Sequence, residues 1–471
     1  MITVESGVVL NTVEMAQAGH LKRSMRMFGN LMLTLSSITP ASSVFVIVPG
    51  IVVISGSGAF LGMVLGACVS LAMALVYAEL GSAFPFAGGE YAIVGRVVGP
   101  AAGFITMAVN TVGQTLSPAV FALGISSYLS GLFPHVPVVS TAMITIALAT
   151  GISILTVRLN AVVTGIFLAI EVLALIVLAV LGFLHVDRSL ADLIVHPVML
   201  DRGKTSLVST PFVMIALGSS VALYAYTGFG SAVNLGEETH DAQRQVARAV
   251  LWSLAVTVLI ELVPLTAVLL GAPDLKALLG SANLFGDFIT MRGSSALNTV
   301  VSLGVALAIF NAIIAGQLVN ARILFSTGRD RVWPAAISRA LARTHKRFHS
   351  PWVATLACGL FSELASLVNE TVLLVVTGAL LTLTYTLMCV AALLGRWQKS
   401  TDHAHYRMPS FPLAPIAALL MMCFVAYASW LDPEIGRPSL LTTLGLIVAS
   451  AIYYRLVINR RGAWVLCGPT Q

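Results

Sequence analysis

Long apolar runs separated by short polar links repeat along almost the whole chain. A membrane-spanning helix needs about 20 mainly apolar residues in succession, and the chain contains twelve such runs. We therefore predict an all-α polytopic membrane protein with 12 transmembrane helices. The predicted spans cover residues 28–54, 58–83, 100–130, 137–157, 159–184, 210–235, 248–272, 295–327, 351–370, 371–395, 411–431 and 438–457.

Composition and charge agree with this pattern and orient the chain. Of 471 residues, 58% are hydrophobic and 10% charged, whereas soluble domains carry about 25% charged residues. If the N-terminus lies inside, 20 Lys and Arg residues fall on the inner side and 6 on the outer side. The positive-inside rule then places both termini in the cytoplasm, and we expect a bacterial inner (cell) membrane. The net charge of +6 follows from topology, so no nucleic-acid partner is needed.

The residues that membrane enzymes and metal sites need are badly placed or missing. The five cysteines are scattered without a CxxC pair, and the nine histidines fall in loops, tails or span edges. No HExxH, GxSxG or phosphate-binding loop occurs. Residues 1–27 show no signal-peptide pattern. We therefore expect no enzyme activity, no metal and no cofactor.

Two predicted spans contain residues that interrupt a helix at membrane depth. The first span reads SSITPASSVFVIVPG at 36–50, where Pro40 cannot donate a backbone hydrogen bond. The sixth reads YAYTGFGSAVNLG at 224–236. Non-helical backbone at this depth survives only when buried or lining a wet cavity, and interruptions at matching positions of two halves indicate a transporter's binding site. The alternative is a simple kink, with Ser and Thr bonding back to the previous turn.

Four stretches resemble the amino acid–polyamine–organocation (APC) superfamily, over roughly residues 25–400. They are the first interruption, YAELGSAFPFAGGEYAIVGRVVGPAAGF (77–104), YAYTGFGSAVNLGEETHDAQRQVARAV (224–250) and NARILFSTGRDRVWP (320–334). The resemblance implies a LeuT-like five-plus-five inverted repeat with helices one and six broken, and substrate held between the breaks. The implied organisation is a cytoplasmic tail (1–27), a first repeat (28–184), an outer loop (185–209), a second repeat (210–395), helices 11 and 12 (396–457) and a second tail (458–471).

The resemblance also assigns candidate binding residues to helix one. Relatives that carry amino acids have a Gly-x-Gly there, whose bare amides hold the substrate carboxylate. Aligned on Phe45, this chain has Ala41 and Ser43 in those places. The hydroxyl groups of Thr39, Ser42 and Ser43 are candidate ligand contacts. Because the Thr-Pro pair is similar to some putrescine-importing relatives, both an amino acid and an amine stay open as substrates.

In helix six, the same resemblance selects Tyr224, Tyr226, Thr227 and Gly228. Tyr226 matches an aromatic residue that packs over substrate in the related arginine–agmatine exchanger, so its ring is expected to hold an ammonium group or close an outer gate. At Gly230, relatives often carry an acidic residue. Its absence argues against a strongly cationic substrate and against pH gating at this position.

Helix three contributes three further candidates. Gly113 and Gln114 align with substrate-facing positions, and Asn110 lies one turn earlier. The Gln114 amide can donate to a carboxylate or accept from an amine. The alternative role for these amides is hydrogen bonding between helices.

Three carboxylic acids, Glu171, Glu261 and Glu363, fall deep within predicted spans. Intramembrane acids are functional candidates, and burial without a cation favours a neutral carboxyl group. Glu171 lies in the segment 160–178, where cationic amino acid relatives carry a lysine in place of a sodium ion. The resemblance thus implies that Glu171 carries the coupling proton. A permanently protonated bridge between helices, and sodium coupling, are the alternatives.

These observations predict a proton-coupled importer of a small amino acid or an amine or polyamine, working by alternating access. An exchanger of substrate for its metabolic product is the second hypothesis. A substrate-sensing receptor is a third, although the tails 1–27 and 458–471 are short for a signalling domain. The expected partners are the small-molecule substrate and the lipid bilayer, and the sequence leaves the oligomeric state open.

Overall fold

The computed structural model describes residues 25–86, 88–132, 137–155, 157–201, 203, 206–281, 283–409 and 411–461. Most of these residues are helical. In the described part of the chain, the strands form a single antiparallel hairpin of β1 (Val198–Leu200) and β2 (Leu207–Ser209), with Val198 opposite Ser209. The hairpin lies within the predicted loop 185–209. Most of both predicted tails lies outside the described residues.

The helices vary from single turns to elements long enough to cross a bilayer. In chain order they are α1 (Met27–Ile38), α2 (Pro40–Ser42), α3 (Val48–Ser55), α4 (Ala59–Ala83), α5 (Gly89–Val97), α6 (Pro100–Leu132), α7 (Val138–Ser153), α8 (Val157–Leu184), α9 (Leu190–Val195), α10 (Phe212–Ala225), α11 (Ser231–Asn234), α12 (Ala242–Gly271), α13 (Leu275–Leu279), α14 (Leu284–Arg292), α15 (Ser295–Arg329), α16 (Ala335–Leu341), α17 (Trp352–Ala365), α18 (Glu370–Trp397), α19 (Leu413–Leu431), α20 (Gly436–Tyr453) and α21 (Asn459–Arg461).

Several of these helices are built for a hydrocarbon environment. Among the described residues, seven helical segments are long and apolar enough to cross a membrane, and α7, α10 and α17 are shorter apolar helices. One of the seven, Met27–Ala83, is interrupted at Thr39 and again at Gly56, where the backbone adopts positive φ. Large apolar side chains such as Leu173 and Leu420 are more than half exposed, at 61% and 67%. Because water disfavours such a surface, the chain is an integral membrane protein.

Small residues allow the inner helices to approach closely. A Cβ added at Gly66 of α4 would lie 2.7 Å from the Ala222 side chain of α10. One added at Gly182 of α8 would lie 2.2 Å from the Ala267 carbonyl oxygen of α12. Close backbone contact replaces the hydrophobic effect as a source of helix association in membranes. These contacts hold α10 and α12 against the first half of the chain.

Candidate substrate cavity

The first interruption lies between α1 and α2. Thr39 has φ 53° and ψ 68°, in the left-handed region, and its hydroxyl group donates to the Ile38 carbonyl oxygen at 2.7 Å. A β-branched residue rarely adopts this conformation, so the surrounding structure must hold it there. Pro40 follows without an N–H and begins a new helical segment, in which Ser43–Ile47 forms a π-helical turn.

The second interruption separates α10 from α11. The helix ends at Ala225, residues 226–230 form turns, and Ser231 begins the next helical turn. Gly228 has φ +112°, a conformation that residues with a Cβ rarely adopt. The glycine therefore permits the chain to leave the helix at this depth.

The two interruptions contact each other directly. A Cβ at Gly228 would lie 2.8 Å from Ile38 Cγ1 and 3.0 Å from Ile38 Cα. The Ser43 hydroxyl group donates to the Ala225 carbonyl oxygen at 3.0 Å. Residues far apart in the sequence thus place two sets of broken helix ends side by side.

A cavity of about 120 Å³ lies beside these helix ends. This volume holds several water molecules or a small organic molecule. None of the described residues that line it carries a charged side chain. The lining consists of Ser37, Ile38, Ser43, Ile47, Val109, Asn110, Gly113, Gln114, Ser117, Phe121, Tyr224, Ala225, Thr227, Gly228, Ser231, Ala312, Gly316, Val319, Thr377, Leu380, Leu381 and Thr384.

The structure divides the predicted binding residues into two groups. Those that line the cavity are Ser43, Asn110, Gly113, Gln114, Tyr224, Thr227 and Gly228. Those that lie outside the lining are Thr39, Ala41, Ser42, Tyr226 and Gly230.

Members of the second group have other neighbours. The Tyr226 ring is fully buried, and its hydroxyl group has no hydrogen-bond partner among the described residues. A Cβ at Gly230 would lie 2.6 Å from the ring of Tyr77, so this glycine makes room for an aromatic side chain. Of the two predicted tyrosines, Tyr224 at the end of α10 lines the cavity and Tyr226 does not.

One wall of the cavity was missed by sequence reasoning. It comes from α18, which contributes Thr377, Leu380, Leu381 and Thr384. These positions follow the i, i+3, i+4, i+7 spacing of a single helix face. Two threonines at the ends of an otherwise apolar face gave a sequence signal that could have identified this wall.

Glu171 lies behind the first interruption and outside the cavity lining. Its side chain is fully buried, and Asn311 Nδ2 donates to its Oε1 at 2.9 Å. The backbone amide of Ala41 is directed at the same carboxyl group. The acid therefore contacts α2 at Ala41, next to the first interruption.

A second buried carboxyl group reaches the cavity through Asn110. Glu90 is in the link between the second and third predicted spans; its Oε2 accepts from Asn110 Nδ2 at 3.3 Å and its Oε1 from the Tyr77 hydroxyl at 3.4 Å. Burial raises the pKa of the Glu90 carboxyl, and hydrogen bonds from Asn234 and Tyr77 oppose that rise. On the cavity side, Thr384 Oγ1 donates to Asn110 Oδ1 at 2.8 Å.

Ion pairs join α15 to the turn after α11, near the beginning of α1. Arg322 donates to both carboxylate oxygens of Glu238 at 2.8 and 3.1 Å, and Arg329 donates to those of Glu237 at 2.8 and 2.9 Å. The Arg322 and Glu238 side chains are only 1% and 2% exposed. The backbone N–H of Met25 donates to the Glu238 carbonyl oxygen at 3.0 Å. These bonds connect α15, the turn after α11 and the residues just before α1.

Apolar helices around a small uncharged cavity, with two broken helices meeting beside it, are the arrangement expected of a membrane permease. The chain belongs to the amino acid permease family, whose sequence model matches residues 26–454.

Several relatives are named as amino acid permeases or amino acid transporters. The chain is 24% identical to the branched-chain amino acid permease BcaP of Lactococcus lactis over 85% of this chain and 87% of that protein. It is 23% identical to BcaP of Bacillus subtilis, over 86% and 88%. It is also 26% identical to the human Asc-type amino acid transporter 1, over 83% of this chain and 74% of that protein.

Proposed function

We propose that this protein is a secondary active transporter that imports a small neutral amino acid with a proton, by alternating access, across a bacterial inner membrane. One observation carries the proposal. The cavity is bounded by both helix interruptions and has no charged side chain in its lining. Broken helices supply the polar backbone groups that such a site requires.

The uncharged lining favours an amino acid over a polyamine. A polyamine would bring several ammonium groups into a buried cavity that offers no carboxylate, and an unpaired buried charge is very unfavourable. The opposite charges of an α-amino acid suit helix ends, because N-termini attract carboxylates and C-terminal carbonyls attract ammonium groups. The names of the relatives, branched-chain and Asc-type, agree with an amino acid substrate.

The substrate assignment is tested by thermal unfolding of the purified protein. A ligand that binds only the folded state raises the melting temperature. At a concentration one hundred times its dissociation constant, such a ligand increases the free energy of unfolding by about 2.7 kcal/mol. We expect L-alanine, L-valine or L-leucine to raise it, and putrescine, spermidine and ethanolamine to leave it unchanged. Stabilisation by the amines alone would contradict the amino acid assignment.

Glu171 is the proposed proton carrier. Its carboxyl group is buried beside the Ala41 amide, at the break that must change when the cavity opens to the other side. In proteoliposomes, Glu171→Gln should abolish accumulation driven by a proton gradient while preserving counterflow from preloaded vesicles. The matched control is Glu363→Gln, at a partly exposed acid on α17, which should accumulate substrate normally. Normal accumulation by Glu171→Gln would exclude this assignment.

Two alternatives are separated by the same vesicles. Accumulation that follows a sodium gradient and ignores a proton gradient would indicate sodium coupling. Counterflow without any gradient-driven accumulation in the wild type would indicate an exchanger.

The proposed topology is twelve spans with both termini in the cytoplasm and a five-plus-five inverted repeat. It is supported by the breaks between α1 and α2 and between α10 and α11, which fall in the first and sixth predicted spans. In this topology, Met27–Ala83 supplies two spans and the six other long apolar segments supply one each. The helix α6, the short helices α7 and α17 and the divided pair α10 and α11 supply the remaining four. Labelling of single cysteines placed in the links between spans, from either side of the membrane, tests the orientation.

A further inference from the structure

The side chain of Asn110 is shared between the cavity and a buried acid. Its Oδ1 accepts from Thr384 Oγ1, which also lines the cavity, and its Nδ2 donates to Glu90 Oε2. An asparagine amide has two N–H donors and two acceptor lone pairs. One N–H of Asn110 therefore remains for a ligand in the cavity.

The partners of Asn110 differ in how they constrain its amide. The Thr384 hydroxyl group can donate or accept, so it is compatible with either orientation of the amide. Glu90 is 5% exposed and takes part in none of the ion pairs found in the described part of the chain. Its Oε2 accepts from Asn110 and its Oε1 accepts from the Tyr77 hydroxyl group, so both carboxyl oxygens act as acceptors in this arrangement. Glu90 is thus the partner that distinguishes the two orientations.

We propose that Glu90 is a positioning residue for substrate binding, which holds the Asn110 amide so that an N–H donor faces the substrate carboxylate. This inference rests on the proposed function, since it requires the amino acid to bind in this cavity. Glu90 itself lies outside the lining and acts through Asn110. Without an acceptor at Glu90, the amide can turn and present its oxygen to the carboxylate.

A double-mutant cycle tests the inference on the full-length protein. The dissociation constant of L-valine is measured by calorimetry for the wild type, Glu90→Gln, Asn110→Ala and the double variant. The Gln side chain keeps the shape of Glu90 but can donate as well as accept. We expect Glu90→Gln to weaken binding about tenfold, the effect of losing one charge-assisted hydrogen bond. In the Asn110→Ala background the same change should alter binding by less than about twofold, because the two residues act as one unit.

Two further variants separate positioning from general stability. Tyr77→Phe removes another donor to the same carboxyl group, outside the cavity lining, and should leave the L-valine dissociation constant within about twofold of the wild type. Glu90→Asp keeps the charge and should bind better than Glu90→Gln, and the melting temperature without ligand shows whether each variant folds. Additive effects in the cycle, or a Tyr77→Phe loss as large as that of Glu90→Gln, would overturn the positioning role. An Asn110→Ala variant that binds L-valine normally would instead contradict the proposed substrate site.

Discussion

Replacing Gly113 by alanine should shift the preference of the cavity toward smaller amino acids. Gly113 and Leu380 face each other across the lining, and a Cβ at position 113 would lie 3.5 Å from Leu380 Cβ and Cδ1. This is ordinary van der Waals contact, so the methyl group fits without moving the backbone. It occupies space inside a cavity of only about 120 Å³.

The size of the effect follows from the loss of room for one methylene group. In a hydrophobic pocket, one methylene changes binding by about 1–3 kcal/mol, or roughly 10–200-fold. We expect Gly113→Ala to reduce the affinity for L-leucine relative to L-alanine by about tenfold, the lower end of that range. The variant should fold well, since alanine in a helix interior is about 0.5–1 kcal/mol more favourable than glycine.

Competition against uptake of labelled L-alanine in proteoliposomes measures this ratio. The matched control is Gly151→Ala, at an exposed helical glycine where an added Cβ would have no neighbour within 4 Å. The control should keep the wild-type ratio of L-leucine to L-alanine inhibition. An unchanged ratio in Gly113→Ala, with normal L-alanine uptake, would refute the assignment of this wall to the substrate side chain.

Three further predictions concern the ion pair of Arg322, the second interruption and the two tyrosines beside it. Arg322→Ala leaves a buried carboxylate unpaired, so the free energy of unfolding should fall by about 3–5 kcal/mol, seen as a lower melting temperature. Gly228→Ala places a methyl group against Ile38 at positive φ, and should reduce both stability and transport in thermal-shift and uptake assays. Tyr224→Ala should weaken L-valine binding several-fold, whereas Tyr226→Phe should leave the dissociation constant unchanged. Weaker binding by Tyr226→Phe together with unchanged binding by Tyr224→Ala would instead place Tyr226 in the binding site.

Sequence reasoning located the interruptions well because their causes are local. Pro40 lacks a donor wherever it occurs, and Gly228 tolerates positive φ in any surroundings. The sequence predicts less accurately which side chains face the cavity. The 3.6-residue period that predicts a helix face ends where the helix ends, so the choice between Tyr224 and Tyr226 depends on the path of the turn.

By itself, the sequence determined that this chain is a helical membrane protein with interrupted helices near Pro40 and Gly228, since apolar length and backbone chemistry are properties of short segments. Only the tertiary structure decided that these interruptions touch, and which partners the buried acids have. Glu171 meets Asn311, and Glu90 meets Asn110, through helix packing. Such pairings depend on the positions of whole helices, which are fixed by close contacts summed over the bundle and by no single stretch of residues.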